Sequence, residues 1–203
     1  MSATPTTTDV STLYEVGNRK FFFAERTATG GFGTKEYHEG LMEVKIEFTS
    51  EITPVGADDD PMFLDLSSPT LGEGTVKFAS LPYNLYSKFF DVKIDANGAI
   101  VIKSNAKAKF VAFGFYSQVG NGSESMFTMY KAVFEQPSLN SVSFDGKTIR
   151  DLTLNVKVYP HSYRDRQNKT DFATYTILNS LANATIWTRA QTNIYVPDAT
   201  LPA

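Results

Sequence analysis

From residue 19 to residue 159 apolar side chains recur at every second position, the period of a strand with one buried face. The clearest run is 41–49. Met42, Val44, Ile46 and Phe48 alternate there with Glu43, Lys45, Glu47 and Thr49. A second run, 151–158, sets Leu152, Leu154, Val156 and Val158 against Thr153, Asn155 and Lys157. Further strands are predicted at 19–25, 74–79, 91–95, 99–103, 108–116 and 126–135. The stretch from Phe110 to Tyr116 is apolar at both parities, as in a central strand or one that meets another subunit. Turn chemistry punctuates the runs: Asn97-Gly98, Gly120-Asn121-Gly122 and Asp145-Gly146. Strands joined by short turns pair antiparallel. The pattern predicts a mainly β fold, an antiparallel β-sandwich or partial barrel.

Three segments break this rhythm. Residues 81–90 read as one flanking α-helix, with Ser80 as cap, Pro82 in the first turn, and Leu81, Leu85 and Phe89 on one face. Residues 50–73 carry three Pro and the run Asp58-Asp59-Asp60, and read as a long loop. The apolar group Met62, Phe63, Leu64 and Leu66 suits a loop that orders against a partner or one folded back on its own domain. Residues 160–203 mix periods, so that 173–187 fits a short helix or a strand, with Trp187 to bury. The expected organisation is an N-terminal arm over 1–18, a β domain over 19–160, and a C-terminal arm or small subdomain over 161–203. Leu13, Tyr14 and Val16 are the apolar positions of the first arm, consistent with docking on a neighbour or with a frayed end.

Composition narrows the function. With 42% apolar residues, sixteen Phe and ten Tyr in 203 residues, the chain can bury a core. A net charge of -3 is wrong for a general nucleic-acid binder, which needs a basic surface to displace counterions. The absence of cysteine removes disulfides, thiol nucleophiles and thiolate metal sites. The N-terminus has no basic start followed by an apolar run, and no apolar stretch reaches the length of a membrane span; neither a signal peptide nor membrane insertion is expected.

Candidate chemistry is sparse. His38 and His161 are the only histidines and neither sits in a triad or zinc motif. Asp58, Asp59 and Asp60 lack the alternating spacing that aims several carboxylates at one calcium ion, and read as a solvated tip. Gly30-Gly31-Phe32-Gly33 lacks the phosphate-loop Lys-Ser/Thr and reads as a hairpin tip. Asn121, Asn168 and Asn183 each open an Asn-x-Ser/Thr triplet, a chance match where no secretory signal stands. No catalytic residue, metal or cofactor is expected. Glu43, Lys45 and Glu47 form either a solvated face or the lining of an enclosed channel.

The order of phrases resembles the major tail proteins of siphophages, in a family common in phages of Gram-positive bacteria. GNRKFFFAE at 17–25 is followed by a Gly-rich turn and LMEVKIEFT. EGTVKFASLPYNLYSKFFDVKIDANGAI at 73–100 supplies the unit of strand, Leu-Pro, short helix and Asn-Gly hairpin. KAKFVAFGFYSQVGNGSESMFTMYKAVFEQPSLNS at 107–141 contains Phe134-Glu-Gln-Pro137, and IRDLTLNVKVYP closes the domain. The resemblance covers about 17–160 and implies a structural virion protein. Six copies would form a ring, and rings would stack on a tape-measure protein between tail terminator and distal tail proteins. DNA would pass through the tube without specific binding. Assembly would take place in the host cytoplasm and the product would be the virion tail. The expected contacts between subunits and rings are Leu13, Tyr14, Val16, Met62, Phe63, Leu64 and Leu66, with Glu43, Lys45 and Glu47 toward the lumen. A carbohydrate- or receptor-binding β-sandwich, with Tyr side chains and Trp187 stacking on sugars, is the alternative.

Overall fold

The computed structural model describes residues 15–27, 31–50, 52–57, 60–67, 71–79, 83–97, 100–102, 107, 109–120, 122–135, 152–160 and 174–196, with backbone alone at 15–16, 52–57, 60–67, 83–84, 94, 100, 102, 175 and 178. The strands are β1 (Glu15–Glu25), β2 (Glu36–His38), β3 (Leu41–Thr49), β4 (Ile52–Ala57), β5 (Asp60–Ser67) and β6 (Leu71–Phe78). Helix α1 (Tyr83–Phe89) precedes β7 (Val92–Ile94), β8 (Ile100–Ile102), β9 (Val111–Val119), β10 (Glu124–Phe134), β11 (Leu152–Val158) and β12 (Thr174–Leu178), and α2 (Ala184–Thr192) comes last. The main sheet is antiparallel throughout, in the order β2-β1-β9-β10-β11-β6-β3, and β12 also pairs with β10.

The ends of this order meet. β2 and β3 lie at opposite ends of the sheet, yet only Glu39 and Gly40 separate them along the chain. A link that short spans at most about 10 Å, so the sheet must curl until its two ends share a corner. Gly40 makes the kink with φ +94°, and its carbonyl accepts from the Ala79 N–H at 2.8 Å. The His38 ring, on β2, lies 5.7 Å from that of Phe78 on β6, across the same corner. The result is a partial barrel.

One core fills its concave side. Phe21, Phe23, Val76, Phe78, Phe113 and Leu154 are fully buried there, and Leu85 and Phe89 of α1 close it. Leu85 and Phe89 are the described part of the predicted apolar stripe; Ser80, Leu81 and Pro82 lie outside the described residues. A second core lies on the convex side, where α2 covers Phe22, Tyr116, Met126 and Tyr130 with Trp187 and Ala190. Because β9 is covered on both faces, it reads as apolar at both parities.

Bulges explain where strict alternation fails. The β9–β10 register shifts between Met129 and Ala132, which puts both residues in the concave core. In β3 the register shifts between Leu41 and Glu43; Leu41, Val44 and Ile46 pack inward while Met42 is 53% exposed. The predicted inward line of Met42, Val44, Ile46 and Phe48 is therefore corrected at both ends: Met42 faces out, and Phe48, past the end of the core, stays 42% exposed. β1 begins at Glu15, four residues before the predicted strand, because bulges at Gly17 (φ +74°) and Lys20 hide its period.

The expectation of a loop over 50–73 is also corrected. Thr49 pairs with Leu71 at the end of β3–β6, and Ile52 pairs with Ser67 at the start of β4–β5. The ribbon thus resumes across the junction with a one-residue offset, and ends where Ala57 pairs with Asp60. Leu71 to Glu73 belong to β6 in the main sheet. Beyond residue 160 both alternatives occur in turn: β12 pairs with β10 and α2 follows a short 3-10 turn, Leu181–Asn183. β11 and β12 lie end to end along the same side of β10, Val158 opposite Ala132 and Thr174 opposite Met129.

Candidate functional site

Three features stand out from the body of the fold. The first is a charged sheet face. Glu43 pairs with Lys77 and Glu47 with Glu73, while Lys157 on β11 also stands opposite Glu73. Directly paired residues share a face, so Glu43, Lys45 and Glu47 join Glu73, Lys77 and Lys157 on the convex side of β3-β6-β11. Lys157 lies 3.7 Å from Glu73 and 3.5 Å from Glu135, and Lys45 lies 3.2 Å from Glu47. The carboxylate of Glu73, then that of Glu135, holds the Lys157 ammonium above its ordinary pKa. Such exposed pairs add little to stability. Their consequence is a surface whose opposite charges neutralise one another locally.

The second feature is the β4–β5 ribbon. Met62, Phe63, Leu64 and Leu66 all lie on β5, where Leu64 pairs with Val55 and Leu66 with Thr53. Among the described residues, β4 and β5 pair with each other and with no other strand. Where the ribbon leaves the barrel, Phe48 and Leu71 remain 42% and 44% exposed. Of the other expected contact residues, Leu13 and Tyr14 lie outside the described residues, and Val16 pairs with Gln118 on β9.

The third feature was not legible in sequence. Lys35, just before β2, is buried; its Nζ donates to the Ala190 carbonyl at 2.5 Å and sits 3.6 Å from the centroid of the Phe22 ring. Tyr37 Oη donates to the Gln191 carbonyl and lies 3.1 Å from Tyr116 Oη. These are carbonyls that the last turn of α2 cannot satisfy internally, at the negative end of the helix. The Lys35 amine, just ahead of β2, and the Tyr37 hydroxyl, on β2, therefore cap α2 and clamp it to the sheet. Burial pushes the Lys35 ammonium down to about 7. Burial first, and then the Tyr37 hydrogen bond, push the Tyr116 phenol well above its ordinary value. A lone Lys ahead of a three-residue strand carries no periodic signal that could have revealed this.

Of the residues singled out for possible chemistry, His38 is on β2 and Asp60 opens β5; His161, Asp58 and Asp59 lie outside the described residues. Among the described residues, no three His, Asp or Glu side chains are grouped to hold a metal ion. Gly31 and Gly33 lie in the β1–β2 connection, where the Gly31 carbonyl accepts from the Thr27 N–H at 3.0 Å. Trp187 is buried against Tyr116 at 5.8 Å, so it offers no open stacking face. No helix among the described residues is long and apolar enough to cross a membrane.

No protein-family model matches this chain, and no curated protein matches its sequence.

Proposed function

We propose that this protein is the repeating subunit of a siphophage-type tail tube, built from stacked six-membered rings. The projecting β4–β5 ribbon is the observation that carries the reading. An isolated two-stranded hairpin is marginal in water, and this one pairs with no third strand among the described residues. A neighbouring copy would supply the missing surface. The exposed Phe48 and Leu71 at its base extend the same contact.

The remaining features fit that role. Among the described residues β3 ends the sheet order and pairs with β6 alone, so its outer edge is a template for another strand. Ring closure would cover such edges. A ribbon reaching from one ring to the next makes a heterologous contact, which propagates into a filament instead of closing. The mixed charges of the β3-β6-β11 face suit a DNA conduit, since a basic lining would hold phosphates by counterion release. The six-fold ring, the tape-measure protein and the terminator and distal tail partners are carried by the sequence resemblance alone.

The ribbon provides the test. Replacing residues 50–70 with an Asn-Gly turn joins Thr49 to Leu71, which already pair, through a two-residue hairpin. The variant is expected to keep its far-ultraviolet spectrum and melting cooperativity yet remain monomeric under conditions where the parent forms rings or tubes. Tubes formed by the variant would refute the role given to the ribbon.

A further inference from the structure

A cleft of about 340 Å³ opens on the convex side of the barrel, lined by Lys20, Tyr37, His38, Glu39, Tyr116 and Gln191. Its volume falls at the lower end of the range of small-molecule sites, about 300–1,000 Å³. Two features of its walls are unusual. Lys20 has φ +46°, and no other described residue except glycine has positive φ. Strain of this kind collects at functional sites. It lies within the β1 register shift between Arg19 and Phe22, and bulges re-aim side chains. Here the bulge brings Lys20 Nζ to 5.5 Å from the centroid of the Tyr116 ring and 3.9 Å from Glu124 Oε1. The second feature is Tyr37, which is 49% exposed although its hydroxyl is held by Tyr116 and by the α2 carbonyl of Gln191. Its ring is thus an aromatic surface fixed in place before any ligand arrives, which lowers the ordering cost of binding.

Charge selects the ligand class. Lys20 is paired with Glu124, Glu39 lines the same cleft, and the carbonyl end of α2 adds partial negative charge nearby. An anion meets the carboxylates and the helix end; a cation meets Lys20. The walls fit a neutral molecule with one flat apolar face and hydroxyls at its edge. The ring of Tyr37 takes the face, and Glu39, Gln191 and Lys20 take the hydroxyls.

The geometry points to a saccharide site at this cleft, which binds one pyranose ring of a neutral glycan against Tyr37. This inference does not depend on tube assembly. It would give the subunit a weak adhesive activity toward glycosylated surfaces.

The test is saturation-transfer NMR on the full chain with the methyl glycosides of glucose, galactose, N-acetylglucosamine and N-acetylgalactosamine. At least one glycoside is expected to receive transfer. Glu39→Ala and Gln191→Ala should each weaken it by about fivefold or more, the loss expected of one or two hydrogen bonds. Tyr37→Phe keeps the ring and should retain binding, whereas Tyr37→Ala should abolish it. Fluorescence of Trp187 checks that α2 stays docked in each variant. No transfer to any of the four glycosides would overturn the proposal. So would transfer that is unchanged in Glu39→Ala, Gln191→Ala and Tyr37→Ala alike.

Discussion

Lys35 shows how one side chain can set the pH response of the fold. Its folded pKa of about 7 lies below the ordinary 10.5, so between those values the unfolded chain holds a proton that the folded chain does not. Stability from this group therefore rises with pH from about 7 to 10.5 and is flat below that window. Tyr116 acts in the opposite sense. Its folded pKa is raised, so above its ordinary value of 10.0 the unfolded state loses a proton that the folded state keeps. The two together predict a urea midpoint that climbs from pH 7 to about 10 and falls beyond about pH 10.5. Lys35→Met should flatten the climb, and a slope identical to the parent would contradict the assignment. Glycines make an equally local prediction. A Cβ at Gly74 would stand 1.9 Å from the Lys45 carbonyl oxygen, and one at Gly114 would stand 2.0 Å from that of Phe127. Gly74→Ala and Gly114→Ala should each cost roughly 3 kcal/mol or more, measured by urea denaturation.

Among the elements, α2 and the ribbon are held in contrasting ways. α2 is seated by Trp187, Ala190 and the Lys35–Tyr37 clamp, so Lys35→Ala should loosen it and shift the emission of the single Trp to the red. Unchanged emission would mean that the apolar contacts alone hold the helix. The ribbon, in contrast, extends from β3 and β6. Period-two alternation made β3, β6, β10 and β11 readable, because each has one face in the concave core. The α1 stripe was readable for the same reason at a different period. β4 and β5 were not, since three prolines and an acidic tip mask the alternation, and pairing between Ile52 and Ser67 depends on the hairpin already begun by β3 and β6. The convex core was illegible for another reason. It is assembled from Phe22, Tyr116, Tyr130 and Trp187, which are distant in sequence and meet only when the chain beyond residue 173 returns to β10.

At the scale of the molecule, a curled sheet is closed at one corner by Gly40, filled on its concave side and half covered on its convex side. Among the described residues, what stays exposed is charged on β3-β6-β11 and apolar at Phe48 and Leu71, at the base of the ribbon. Glu43, Lys45 and Glu47 could be assigned to one face from the sequence, but their neighbours Glu73, Lys77 and Lys157 came only with the register. The central claim is that such a subunit completes itself by joining copies of itself. Light scattering coupled to size exclusion, followed by negative-stain imaging of the same fractions across a concentration series, tests it directly. The tail-tube account predicts ring-sized or larger assemblies with a central hole, whose proportion rises with concentration. A protein that stays monomeric at every concentration, and still does so when tape-measure protein and distal tail proteins are added, would contradict it.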